Sequence, residues 1–92
     1  MKGEYEKELE YFERSLKIAE ELNTKMGIRI VLNNIGNVYG KWGEHEKALE
    51  YFKKSLRIAE ELEDKGGIST LKMNIGSSYK LLGEVKRAEE NI

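Results

Sequence analysis

The sequence predicts an all-α protein, built as a right-handed solenoid of antiparallel helix pairs, with about five helices including a short terminal one. Three observations support this fold class. The 92 residues include no proline, and the chain is rich in Glu, Lys and Leu, whose side chains lose little rotamer freedom in a helix. The sequence repeats itself internally. Its apolar residues recur at helical spacing on more than one face, so each helix packs against two neighbours.

The internal repeat is clearest over its first half, where most positions are identical. Gly3 aligns with Gly43 and Leu22 with Leu62, a shift of 40 residues, and the two blocks read GEYEKELEYFERSLKIAEEL and GEHEKALEYFKKSLRIAEEL. The run at residues 34–36, Asn-Ile-Gly, recurs at 74–76, and a third copy opens at Gly83. A fixed period with short connections indicates supersecondary units that stack on one another and share a continuous core.

The first helix is predicted over residues 4–22. Its apolar side chains form two adjacent stripes. One stripe contains Tyr5, Leu9, Phe12, Leu16 and Ala19, and the other contains Tyr11, Ser15, Ile18 and Leu22. Because both stripes follow helical spacing, this helix has two faces to bury and needs two neighbours.

The second helix is predicted over residues 26–41 and ends before Gly43. Its stripe contains Ile28, Leu32, Ile35, Tyr39 and Trp42. We expect Trp42 to pack in the core beneath the turn, with anchoring of a partner as the alternative. The third helix, 44–63, copies the first, the fourth, 67–82, copies the second, and a short helix starts at 84. One domain therefore covers residues 1–92, as a lone helix, a repeat over 26–63 and a truncated repeat over 67–92.

The chain resembles the tetratricopeptide repeat family over nearly its whole length. The residues at the spacings of the family signature are Leu32, Ile35, Gly36, Tyr39, Gly43, Ala48, Phe52 and Leu56. The longer period and the Asn-Ile-Gly-Asn run at 34–37 are similar to the repeats of kinesin light chains and of Leu-Gly-Asn-repeat scaffold proteins. Ser15 and Ser55 depart from the signature, which has a small alanine there. The resemblance implies a non-enzymatic interaction module that binds an extended peptide on the concave face of its A-type (second and fourth) helices.

Small residues mark the places where helices approach closely. Gly36 and Ala48 are expected to face each other within one hairpin, and Gly76 and Ala88 to repeat the contact. The first copy has Glu8 in place of Ala48, and an unpaired buried carboxylate is costly, so we expect no helix to precede the first one. The polar Glu89 and Asn91 of the last copy likewise favour natural ends, with an excised fragment of a longer scaffold as the alternative.

The amino-acid composition excludes most kinds of catalytic and metal-binding site. The chain has one histidine and no cysteine, and 16 basic against 17 acidic residues give a net charge of −1. Neither a thiolate nucleophile nor a histidine pair can be built, and no bulk charge attracts nucleic acid. His45 aligns with Tyr5 and Val85 and is interpreted as a packing residue. We therefore expect no enzyme activity, no cofactor, no metal, no nucleic-acid or membrane partner, and a cytoplasmic location as the default.

A polar ladder on the A-type helices is the strongest functional signal. Its members are the predicted peptide-binding residues Asn33, Asn34, Asn37, Lys41, Asn74, Ser77 and Lys80. An asparagine amide both donates and accepts hydrogen bonds, so it can satisfy a peptide unit without charge. In the alternative interpretation the asparagines cap or brace neighbouring helices. The two lysines slightly favour an acidic peptide as the partner.

Self-association is the rival function, because a short repeat array leaves apolar surface uncovered. The predicted residues are Tyr5, Leu9, Phe12 and Leu16 of the first helix. Two geometries are possible. A closed twofold dimer that pairs the first helices keeps Glu8 at its rim and is preferred, whereas a head-to-tail stack would place Glu8 against Gly76.

Overall fold

The computed structural model describes residues 2–90, and this part of the chain consists of four α-helices without a strand. They are α1 (Lys2–Glu21), α2 (Lys25–Lys41), α3 (His45–Glu61) and α4 (Lys65–Glu90). Consecutive helices pack side by side, α1 on α2, α2 on α3 and α3 on α4. The predicted all-α helical repeat is confirmed. None of the helices within residues 2–90 combines the length and the apolarity needed to cross a membrane.

The three turns between the helices share one backbone design. Each contains one residue with positive φ, namely Asn23 at 53°, Gly43 at 82° and Glu63 at 54°. This left-handed residue lets the next amide bond back to the helix: Glu44 N–H donates to the Tyr39 carbonyl at 2.9 Å. The short turns make neighbouring helices antiparallel.

Two short side chains cap the helices that follow these turns. Thr24 Oγ1 accepts a hydrogen bond from Gly27 N–H at 3.2 Å, and Asp64 Oδ1 accepts one from Gly67 N–H at 3.1 Å. Asp64 also forms an ion pair with Arg29, whose Nε lies 3.1 Å from Asp64 Oδ2. The Asp64 carboxylate therefore both caps the N-terminus of α4 and links α4 to α2.

The core consists of two buried clusters. Leu9, Ile35 and Val38 form the first, between α1 and α2. The second lies between α3 and α4 and contains Ala48, Phe52, Ala59 and Leu71. Tyr39 packs against both clusters. The core is therefore continuous along the repeat, as expected of stacked helix pairs.

The hairpin of α2 and α3 is held by a close approach and a buried hydrogen bond. A β-carbon added to Gly36 would lie 2.6 Å from two ring carbons of Phe52, so only glycine fits there. The expected close approach is confirmed, and the atoms nearest to the added β-carbon belong to Phe52. Ser55, fully buried, donates from its hydroxyl to the Arg29 carbonyl at 2.7 Å.

The carboxyl-terminal part differs from the prediction. α4 runs through Gly83 to Glu90, so the described residues form four helices rather than about five, and the short helix expected from 84 is wrong. Asn91 and Ile92 lie outside the described residues. Residues 84–90 are all exposed, so a hairpin there would bury little, whereas a continuous helix keeps its backbone hydrogen bonds. Ala88 does not face Gly76, which has no atom within 4 Å of an added β-carbon.

Candidate functional site

An open groove of about 490 Å³ runs between α1 and α2. Its walls and floor consist of Lys7, Glu8, Tyr11, Phe12, Asn34, Asn37, Val38 and Lys41. The floor is largely apolar and the rim is polar, an arrangement that is also common in protein–protein interfaces. The groove is the best candidate for a functional site within residues 2–90.

Three of the predicted peptide-binding residues line this groove: Asn34, Asn37 and Lys41. Asn34 is half-buried and Asn37 is exposed. Lys41 Nζ lies 3.1 Å from Glu8 Oε2 on the opposite wall, and both side chains remain largely solvated. Such an exposed ion pair contributes little to stability, so a ligand can replace either residue as the partner of the other.

The other predicted residues do not line the groove. Asn74 Nδ2 donates to Asn33 Oδ1 at 3.0 Å, a half-buried bond between α4 and α2. For these two asparagines the bracing interpretation describes the observed geometry. Ser77 and Lys80 lie exposed on α4. The ladder therefore divides into a groove part and a bracing part.

The predicted self-association stripe is partly covered by α2. Leu9 is buried against Ile35 and Val38, and Tyr5, Phe12 and Leu16 pack onto the same cluster. A surface that pairs α1 with another helix therefore needs, in addition to the partly exposed Phe12, the adjacent stripe. Its exposed members are Tyr11, at 67%, Ile18, at 55%, and Leu22, at 72%. The sequence separated the two stripes, but spacing alone did not show which of them α2 covers.

An aromatic cluster fixes the end of α2. Trp42 stacks on Tyr39, with parallel rings whose centroids lie 6.3 Å apart, and lies 5.7 Å from the ring of Tyr5. The expected packing role of Trp42 is confirmed. Tyr39 also stacks on Tyr51 at 5.6 Å. His45 is half-buried as the first residue of α3.

A second hollow of about 380 Å³ lies beside this cluster and is lined on its rim by Glu6, Glu10, Glu13 and Glu44. Burial, followed by the carboxylates of Glu13, Glu44 and Glu50, raises the pKa of Tyr39 above its ordinary value of 10.0. The Lys47 ammonium lies 5.4 Å from the centre of the Tyr39 ring. The hollow thus already contains an internal cation.

Sequence reasoning missed the α1 wall of the groove, Lys7 and Tyr11 in particular. The available signal was the second stripe of the first helix, which contains Tyr11. It also missed the link from Arg29 to Asp64. A short polar residue directly before an apolar helical run is a recognised sign of a helix start, and both Thr24 and Asp64 stand at such positions.

Comparison with known proteins supports the helical repeat. A family model described as tetratricopeptide repeat matches residues 1–61. The solution NMR structure of a designed protein, DA05, superimposes with a TM-score of 0.83 and 27% sequence identity, covering 89% of this chain and 82% of the designed one. No curated protein matches the sequence.

Proposed function

Because the chain belongs to the tetratricopeptide repeat family, we propose that it is a non-enzymatic protein-interaction module that binds an extended peptide segment in the groove between α1 and α2. The observation that carries the proposal is the lining of this groove. Two asparagine amides, from Asn34 and Asn37, stand beside an apolar floor that includes Phe12 and Val38. The floor can bury side chains of a peptide while the amides hydrogen-bond its backbone.

The charges of the groove favour an acidic segment. Lys7 and Lys41 line it together with one carboxylate, Glu8, so the lining has one positive charge in excess. A peptide carboxylate can replace Glu8 as the partner of Lys41, because the existing pair is exposed and weak. We expect Asp and Glu to be enriched among bound peptides, and their binding to weaken as salt concentration rises.

Selection from a phage-displayed random-peptide library supplies the probe for this proposal. The selected peptide is then synthesised, and its affinity is measured for the wild-type protein and for Asn37→Ala. Loss of one hydrogen bond should weaken binding about three- to tenfold. Asn37 is exposed, so the substitution should leave the free energy of unfolding unchanged.

Ser77→Ala is the matched control, because Ser77 belongs to the same polar ladder but lies on α4 outside the groove. Its affinity should equal that of the wild type. If Ser77→Ala weakens peptide binding and Asn37→Ala does not, the binding surface is not the α1–α2 groove and the proposal is wrong.

A further inference from the structure

The α1 wall of the groove has a counterpart inside the molecule. Its residues Lys7, Glu8, Tyr11 and Phe12 align in the repeat with residues 47, 48, 51 and 52 of α3. In α3 this face covers α2. The Lys47 ammonium lies 5.4 Å from the centre of the Tyr39 ring, and Tyr51 stacks on the same ring at 5.6 Å. Phe52 fills the space against Gly36. The groove is therefore walled by a face that packs on a helix elsewhere in this chain.

The matching helix face also exists, and it is uncovered. α4 is the repeat copy of α2, with Gly76 in place of Gly36 and Tyr79 in place of Tyr39. Gly76 has no atom within 4 Å of an added β-carbon. Tyr79 is 52% exposed and Tyr11 is 67% exposed. Tyr79 and Tyr11 align with Tyr39 and Tyr51, which stack on each other in the α2–α3 hairpin.

We propose that α4 of one molecule packs into the α1–α2 groove of a second copy of this chain. Tyr79 then stacks on Tyr11 of the second copy, as Tyr39 does on Tyr51, and Phe12 of the second copy closes over Gly76. The contact continues the solenoid by one period from one molecule to the next. Because it joins two different faces, it is a head-to-tail contact that does not close on itself.

Charge changes on the two faces are complementary. The fully buried Ala48 of α3 is replaced in α1 by Glu8, and Gly40 of α2 is replaced in α4 by Lys80. Lys80 lies one helical turn beyond Gly76, on the uncovered side of α4. The α1 face thus carries an acidic residue and the α4 face an exposed basic residue, and opposite charges on the two faces lower the cost of covering the carboxylate. Together with the repeat alignment, these opposite charges favour α4 of a second copy over an unrelated helix as the occupant of the groove.

The geometry differs from a twofold pairing of two α1 helices. That dimer would leave Gly76 and Tyr79 uncovered. The head-to-tail contact uses both open faces. It also fills the proposed peptide groove, so peptide binding and assembly exclude each other. We expect the chain to be monomeric in the micromolar range, where peptide affinity is measured.

Sedimentation velocity from micromolar to millimolar concentration tests the contact. Gly76→Gln blocks the α4 face, where the single molecule has free space. Tyr11→Lys blocks the α1 face. Each variant should remain monomeric where the wild type associates, with its dissociation constant raised about tenfold or more. Gly40→Gln is the matched control, because a β-carbon there also meets nothing within 4 Å, and it should associate like the wild type.

An equimolar mixture of the two blocked variants decides the geometry. Gly76→Gln retains an intact α1 face and Tyr11→Lys an intact α4 face, so the mixture should form a 1:1 dimer that grows no further. Urea unfolding curves of both variants verify that they are folded. A wild type that is monomeric at millimolar concentration overturns the proposal. So does a Gly76→Gln variant that still self-associates, which would favour the twofold pairing of α1.

Discussion

Adding one methyl group to each of two aligned glycines should change stability in opposite directions. Gly36 and Gly76 stand in identical Asn-Ile-Gly contexts, one repeat apart. Gly36 is buried under the ring of Phe52, where an added β-carbon lies 2.6 Å from two ring carbons and 3.1 Å from a third. At Gly76 the same atom meets nothing within 4 Å. The pair therefore isolates helix packing from helix propensity.

The magnitudes follow from two opposing effects. Alanine is about 1 kcal/mol more favourable than glycine inside a helix, and this gain applies at both sites. Overpacking a core costs about 1–3 kcal/mol, and the Phe52 ring is only 3% exposed, so it has little room to move. The overpacking cost then lies at the upper end of this range, so Gly36→Ala should lower the free energy of unfolding by about 1–2 kcal/mol. Gly76→Ala should raise it by about 1 kcal/mol.

The assay is urea unfolding followed by far-ultraviolet circular dichroism, with thermal melts as a second measurement. Protein is kept in the low micromolar range so that self-association does not contribute. For a domain of this size, 1 kcal/mol corresponds to a change in melting temperature of about 4–8 °C. If both substitutions stabilise the protein equally, Phe52 does not lie against Gly36 and the described packing of α2 on α3 is wrong.

Three further predictions concern stability. Ser55→Ala should lower the free energy of unfolding by about 1 kcal/mol because it removes a buried hydrogen bond, whereas Ser15→Ala, whose hydroxyl bonds only to its own helix, should change it little; urea midpoints compare them. Asp64→Asn keeps a capping oxygen but removes the charge that faces the arginine on α2, and should destabilise by about 1–2 kcal/mol in the same assay; an unchanged midpoint would show that the ion pair contributes nothing. Burial, then neighbouring charges, raises the pKa of Tyr39 and Tyr51 above 10.0, so the folded state holds these protons more tightly than the unfolded state does. The stabilisation that these two protonated tyrosines provide is complete below pH 10.0 and is lost as the pH rises through their folded-state pKa values. Phenylalanine variants should therefore lose less stability between about pH 9 and about pH 11 than the wild type. Equal losses would contradict this.

Much of the fold was predictable because the internal repeat gives two copies of most residues that form the contacts between helices. The α2–α3 hairpin keeps its glycine, its aromatic residues and its polar turn, and the structure places them as their spacing indicates. The failure at Gly83 has a physical reason. The sequence there copies the turn at Gly43, but whether a turn forms depends on how much surface the following segment buries, and Glu89 in place of Leu49 removes that burial. Similarity between the two turn sequences therefore does not show whether the second turn forms, because it contains no information on the surface that the following segment buries.

The candidate site was predictable only in part. Asn34 and Asn37 were identified from their helical face, and the groove between α1 and α2 includes both. The pairing of Asn33 with Asn74 could not be read from the spacing, because it depends on how far apart α2 and α4 lie. The groove itself arises from the face of α1 that no helix covers, and helical periodicity marks both apolar stripes of α1 without showing which one packs on α2.

A titration of the selected peptide into ¹⁵N-labelled protein, followed by ¹H–¹⁵N correlation spectra at low micromolar concentration, tests the proposed function most directly. The account predicts that the largest shifts fall on the amides of residues 7–12 and 34–41, including the side-chain amides of Asn34 and Asn37, while residues 65–90 of α4 shift little. Largest shifts on α4, or around the acidic hollow formed by Glu6, Glu10 and Glu44, would contradict it.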